Sequence, residues 1–194
     1  ECHNDELDGY PAVADFDLDG DPEVVVVSEG TIRLQDHDCN VLWGPITIAG
    51  GGRGGPPTVA DYDGDGLPEI GAANKNFYTV LDTDGTELWS HPTEETSSGI
   101  TGSSVFDFNG DGTAEVVYAD EVSLYIFQGT DGAVLYEETH HSSRTQIEYP
   151  VIADIDGDHH AEILLGSNDV FTEGWSGMTM LGSDGEGGWW KARR

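Results

Sequence analysis

Short apolar or β-branched runs, separated by clusters of Asp, Gly, Asn and Ser, recur along the whole chain and read as β-strands joined by turns. Tyr10 to Ala14 enters an acidic stretch, Glu23 to Ser28 leaves it as a β-branched run, and the pair reads as a hairpin with the acids at its tip. Thr31 to Gln35 alternates, Asp36 to Asn40 supplies turn residues, and Val41-Leu42-Trp43 begins a fourth strand before Gly44-Pro45 loosens the pattern. The same order returns three times. Pro57 to Ala60, Ile70 to Ala73, Phe77 to Leu81 and Glu87 to Trp89 form the second set, and Ser104 to Phe106, Val116 to Ala119, Ser123 to Phe127 and Val134 to Tyr136 the third. The fourth runs through Val151 to Ala153 and Ile163 to Gly166, pauses at an insertion from Ser167 to Gly177, and resumes with Met178 to Leu181 and Trp189-Trp190.

The acidic stretches that open each set begin at Asp15, Asp61, Asp107 and Asp154, so the repeat period is 46, 46 and 47 residues. Four strands per period of that length fit the four-stranded blade of a β-propeller. The expected fold is therefore all-β, a β-propeller of four-stranded antiparallel blades, with four blades at approximately 10–50, 56–99, 103–144 and 150–194 making one domain or a segment of a larger propeller. Four blades lie at the lower edge of the usual range. An arc of a larger protein, a compact ring and one part of a homo-oligomer are all compatible with the repeats, and no strand is left over at the start to complete the last blade. The aromatics near the end of each set, Trp43, Trp89, Tyr136 and Trp190, read as packing between adjacent sheets rather than as a sugar platform.

Charge narrows the partners. The 194 residues carry 38 Asp and Glu against 7 Lys and Arg, a formal net charge of −31 that opposes nucleic acid and anionic lipid and favours metal cations. The acids are not scattered, because loop positions 1, 3, 5 and 9 hold 15 of the 38. One divalent ion per loop would remove eight of the negative charges and leave the protein acidic. No run reaches the roughly 18 apolar residues of a membrane helix, and Glu1-Cys2-His3 does not read as a signal peptide, so the chain reads as mature or cut from something longer. Cys2 and Cys39 are as compatible with a disulfide of an oxidising compartment as with two separate thiols.

Alternating oxygen-bearing side chains in a tight turn suit calcium, which takes six to eight hard oxygen ligands at flexible geometry. Positions 1, 3 and 5 aim side chains inward, position 7 offers its carbonyl, position 9 closes the shell from the outgoing strand, and glycine at position 6 permits the turn, as at Gly20, Gly66 and Gly112. Neither Cys nor His occupies positions 1, 3, 5 and 9, which argues against zinc and copper. An EF-hand is excluded because position 12 is Val26, Ala72, Tyr118 or Leu165 rather than Glu.

The strings from Pro11 to Val24, Pro57 to Ile70 and Pro150 to Ile163 resemble the FG-GAP, or VCBS-type, repeat over nearly the whole chain. That resemblance implies calcium-binding blades like those of integrin-α-type propellers and secreted surface proteins, with up to four calcium ions. It carries ligand roles to Asp15, Asp17, Asp19, Asp21 and Glu23; to Asp61, Asp63, Asp65, Leu67 and Glu69; to Asp107, Asn109, Asp111, Thr113 and Glu115; and to Asp154, Asp156, Asp158, His160 and Glu162. The seventh-position residue of each set would act through its carbonyl. His159 replaces glycine at position 6 of the fourth loop, so that site is expected to be the weakest.

These features imply a non-catalytic, calcium-stabilised module of an extracellular or cell-surface protein, used for adhesion or display of a protein or glycan ligand. The alternatives are a polysaccharide-acting enzyme of the lyase kind, which would need a basic or aromatic cluster, and a lectin, for which Trp175 and the inter-blade loops are the candidates. The G-x-G-x-x-G at Gly50, Gly52 and Gly55 lacks a βαβ setting, and His140-His141 and His159-His160 read as exposed pairs in polar loops. No nucleophile elbow and no N-x-Ser/Thr sequon is found.

Overall fold

The computed structural model describes residues 9–146, 148–171, 176–183 and 188–191, with Trp190 and Lys191 described by their backbone alone. It holds sixteen strands and, among the described residues, no helix. Blade one is β1 (Tyr10–Ala14), β2 (Glu23–Ser28), β3 (Thr31–Gln35) and β4 (Val41–Thr47). Blade two is β5 (Thr58–Ala60), β6 (Glu69–Asn74), β7 (Phe77–Leu81) and β8 (Glu87–Pro92). Blade three is β9 (Ser103–Phe106), β10 (Glu115–Ala119), β11 (Leu124–Phe127) and β12 (Val134–Glu138). Blade four is β13 (Val151–Ala153), β14 (Glu162–Ser167), β15 (Gly177–Ser183) and β16 (Trp189–Lys191).

Each sheet is antiparallel, and its strands lie side by side in chain order. Among the described residues no sheet borrows a strand from another. The first strands are the inner ones, with β1 beside β5, β5 beside β9 and β9 beside β13. Outer strands run further than the hydrophobic pattern suggests. Three of them, β4, β8 and β12, cross a register shift at the same place, between Leu34 and Gln35, Val80 and Leu81, and Ile126 and Phe127. The extra residue is Leu42, Leu88 and Leu135 in turn, at the start of each outer strand, and β4 has a second shift between Ile32 and Leu34 that takes it past Gly44-Pro45.

Alternation along the second strand of each blade assigns one face to the preceding blade and the other to the following one. Val25 and Val27 of blade one meet Ile70 and Ala72 of blade two. Ala73, Tyr78 and Val80 of blade two meet Val116, Tyr118 and Phe127 of blade three, and Val117, Ala119 and Ile126 of blade three meet Ile163, Leu165 and Leu181 of blade four. The central strands of blades two and three are thus buried on both faces, which is why Val116 to Ala119 reads as a continuous apolar run.

The outer-strand aromatics lie in these interfaces, as their periodicity suggests. Trp43, Trp89 and Tyr136 pack into the first, second and third inter-blade clusters in turn. The indole of Trp43 donates to the carbonyl of Thr83 and that of Trp89 to Gly129, each in the β3–β4-type turn of the next blade. A Cβ on the turn glycines below them, Gly85 and Gly132, would come within 3.0 Å and 2.5 Å of the nearest indole ring atom. In blade four the described side chain is Trp189, which faces back onto Phe108 at a ring distance of 4.7 Å, while the Trp190 side chain, Trp175 and the Arg193-Arg194 terminus lie outside the described residues. Cys39 is disulfide-bonded; Cys2 also lies outside them.

Candidate metal-binding loops

Each acidic loop joins the first two strands of its blade and repeats one hydrogen-bond scheme. The carboxylate at position 1 accepts the N–H of position 6, at 3.0 Å from Gly20 to Asp15, 3.0 Å from Gly66 to Asp61, 2.9 Å from Gly112 to Asp107 and 3.1 Å from His159 to Asp154. Side chains at positions 3 and 5 accept the N–H two residues on, as Asp63 does from Asp65 and Asp65 from Leu67. These Asx turns wind the backbone so that three side chains converge.

The glutamate at position 9 is the anchor. Glu23, Glu69, Glu115 and Glu162 are all buried, and one oxygen of each accepts the N–H of position 2, at 2.8, 2.6, 2.9 and 2.8 Å. In loops two and four the other oxygen, Oε1 of Glu69 and of Glu162, is buried without a partner, as is Oδ1 of Asp15 in loop one. A buried carboxylate oxygen lacking a donor is costly unless a cation meets it. Oxygens of Asp61, Asp63, Asp65 and Glu69 come within 4.8 Å of one another, as do those of Asp15, Asp17 and Asp19, and those of Asp154, Asp156 and Glu162. Hard oxygen donors so arranged fit a calcium ion. Burial, reinforced by the charges of Asp63 and Asp61, pushes the Glu69 carboxyl up to about 7, and burial likewise raises Glu115. A cation in the loop would reverse that shift.

Loop three is built differently. Asn109 stands at position 3, and its amide nitrogen donates to Asp111 at 2.9 Å and to Glu115 at 3.5 Å, so a neutral donor lies between the carboxylates. Loop four keeps the common scheme despite His159, which takes the left-handed conformation with φ of 73°. Position 4 imposes a demand that sequence reasoning overlooked, because it too has positive φ: 83° at Gly64, 71° at Gly110, 83° at Gly157 and 58° at Leu18.

One histidine departs from expectation. His140 is exposed and bonded to Glu138, but His141 is buried, with Nδ1 2.8 Å from the hydroxyl of Ser167 and burial holding its imidazole down at about 4. The connection after β12 folds back over blade four's second strand, where Asn168 N–H donates to the Ser142 carbonyl, and this covers the ring. The glycines from Gly50 to Gly55 serve backbone packing: Gly50 and Gly52 have φ of 90° and 106°, and a Cβ on Gly50 would overlap the carbonyl of Lys75.

A second acidic group, missed in the sequence, clamps the connection between blades two and three. Asp120 accepts N–H groups of Glu94, Val122 and Ser123 at 2.7, 2.9 and 2.8 Å; Glu121 accepts those of Thr96 and Ser97; Glu95 accepts those of Ser98 and Gly99. All three carboxylates are buried, and burial lifts Asp120 to about 6. The local signal was confined to Glu95, which stands just before Thr96, Ser97, Ser98 and Gly99, because Asp120 and Glu121 come from the β10–β11 turn.

A family model described as the FG-GAP-like repeat matches residues 15–72 and 107–165, together more than half of the chain. Among solved structures, the biofilm matrix protein Bap1 of V. cholerae is similar over 84% of this chain and 26% of that one, at 23% identity and a TM-score of 0.56. BBS1N, solved in complex with ARL6DN, is similar over 95% of this chain and 55% of that one, at 10% identity and a TM-score of 0.64. A lectin of Agrocybe aegerita, whose structure concerns recognition of non-reducing terminal N-acetylglucosamine, is similar over 96% of this chain and 52% of that one, at 16% identity and a TM-score of 0.57. At these identities the likeness is one of fold, and the chain spans between 26% and 55% of the length of these structures. No curated protein matches the chain.

Proposed function

Because the chain belongs to the FG-GAP-like repeat family, we propose that it is a calcium-binding, non-catalytic propeller module of a secreted or cell-surface protein, serving adhesion or display. Its four repeats, at about 10–50, 56–99, 103–144 and 150–194, act as one domain or as a segment of a larger propeller. Calcium is held by the side chains at loop positions 1, 3, 5 and 9 and by the carbonyl at position 7. Its role is structural: it neutralises hairpin tips whose carboxylates otherwise repel, and so locks β1 to β2 and their counterparts. The observation that carries this reading is the buried position-9 glutamate with one oxygen bonded to the loop and, in loops two and four, the other aimed at the remaining acids without a partner. The lyase and lectin readings need convergent basic or aromatic side chains, whereas these loops supply carboxylates.

The test is thermal. Several sites binding only the folded state, each worth about 2.7 kcal/mol at a hundredfold excess over Kd, would raise the melting temperature of a chain this size by roughly 10 °C or more. Adding a chelator to the calcium-loaded protein is expected to remove that increment, and an unchanged melting temperature overturns the calcium reading.

A further inference from the structure

Blade one is first in chain order, and none of the three inter-blade clusters includes its backward face. On that face lie Pro11, Val13, Val24, Val26, Arg33 and Gln35, because Ala12, Val25, Val27, Ile32 and Leu34 alternate with them and point at blade two. An uncovered sheet face leaves its central side chains partly in solvent, as the forward face of blade four does at Leu164 and Met180. Blade one behaves otherwise. Val26 is 7% and Gln35 2% exposed, while Val13 at the inner edge is 62% exposed and Val41 at the outer edge is exposed too. The cover is therefore a narrow stripe over β2 and β3. A whole blade would bury the inner edge as well, as it does in part at Val59, Val105 and Ile152.

The chemistry of the stripe suits an extended chain better than another blade. Gln35 pairs with Val24 at the register position where Leu81 pairs with Ile70, Phe127 with Val116 and Leu181 with Ile163. Those three counterparts are buried among apolar side chains of the neighbouring blade. Nε2 of Gln35 and Nε of the adjacent Arg33 are instead buried donors without an acceptor among the described residues. Against an apolar blade both would stay unpaired at a cost, whereas backbone carbonyls and carboxylates would satisfy them.

The start of the chain approaches this face. A Cβ on Gly9 would come 3.1 Å from Cγ1 of Val26, so the backbone enters β1 from the backward side. Cys39 is disulfide-bonded, and the sequence holds one other cysteine, Cys2. Gly9 lies at the far end of β1 from the acidic loop, whereas Cys39 lies in the β3–β4 turn at the acidic-loop end, two strands outward. Blade two fills the forward face between them. Strand rise and spacing separate the two points by roughly 20 Å, and the seven residues from Cys2 to Asp8 extend to at most about 25 Å. That length allows a direct crossing and little else.

We propose that Cys2 to Asp8 cross the backward face of blade one as an extended strap anchored by a Cys2–Cys39 disulfide, covering Val26 and Gln35 and bringing Asp5 and Glu6 to Arg33. The strap occupies the place of a preceding blade and closes that end of the stack to a second copy. The inference does not depend on the calcium reading.

The experiment modifies the arginines of the full chain with phenylglyoxal and maps the products by mass spectrometry, with the exposed Arg53 and Arg144 as internal references. Peptide mapping without reductant first identifies the partner of Cys39, and a bond to another copy overturns the proposal. Opening the bond by Cys2→Ser is expected to speed Arg33 modification about fivefold relative to Arg53, since the strap then lifts readily. A phosphine reductant applied to the folded wild-type chain gives the same reading should the variant fail to fold. Equal Arg33 rates with the bond intact and open overturn the proposal. Protection of Arg33 that disappears on dilution of the disulfide-intact protein overturns it too, because a second copy is then the cover.

Discussion

Within the acidic loops two side chains hold conformations suited to glycine, and they mark where loop chemistry and backbone geometry disagree. Leu18 at position 4 and His159 at position 6 have φ of 58° and 73°. The left-handed region costs an L-residue about 1 to 2 kcal/mol, while glycine there adds back roughly 0.5 to 1 kcal/mol of unfolded-chain entropy. Relief of strain is the larger of the two. Leu18→Gly and His159→Gly are therefore each expected to raise stability by about 0.5 to 1 kcal/mol, read by denaturant melts, and His159→Gly to tighten calcium at the fourth loop, read by titration calorimetry. The glutamates set the pH behaviour. Glu69 has a folded pKa raised from 4.5 to about 7, so in the ion-free protein its contribution to stability is full below 4.5 and is lost as pH rises through 7. Calcium requires the ionised carboxylate, so the ion acts in the opposite sense. The gap between melting temperatures with and without calcium is expected to widen from pH 5 to pH 8; a constant gap would show that Glu69 does not face the ion.

At the level of strands and connections, the metal loops and strand centres were legible because their signals are chemical. Acids at fixed offsets and β-branched runs need no tertiary context to be read. Strand ends were not, since β8 and β12 extend through polar residues such as Ser90-His91 and Glu137-Glu138 by backbone pairing with β7 and β11, and β4 passes Gly44-Pro45 by a register shift, none of which those side chains announce. His141 was misread because burial depends on a connection returning from elsewhere in the chain, and positive φ at position 4 was hidden by Leu18, whose side chain gives no sign of it. The clamp on residues 93–101 escaped for a similar reason: only the fold brings Glu95, Asp120 and Glu121 to backbone N–H groups of that segment and its neighbours. Asp120 accepts three, one of them across the interface from Glu94. Asp120→Ala would leave those donors unpaired, and it is expected to cost about 2 to 3 kcal/mol, measured by chemical denaturation. A loss below the cost of an ordinary surface substitution would mean that water replaces the carboxylate.

For the whole molecule, stability is a sum over blades and the interfaces between neighbours. Blades two and three each have a partner on both faces, as the three clusters show. Amide hydrogen exchange in calcium is expected to be slowest in β6, β7, β10 and β11 and faster in β15, where Met178 is 60% exposed. Uniform protection would mean that the four blades open only together. The same interfaces have a direction, because every contact joins the forward face of one sheet to the backward face of the next. A surface that accepts only its opposite cannot meet its own copy across a twofold axis. Self-association that continued this stacking through the forward face of blade four, where Val151 and Met178 are exposed beside Leu164 and Met180, would therefore be heterologous, and its products would be closed rings or open filaments rather than paired dimers.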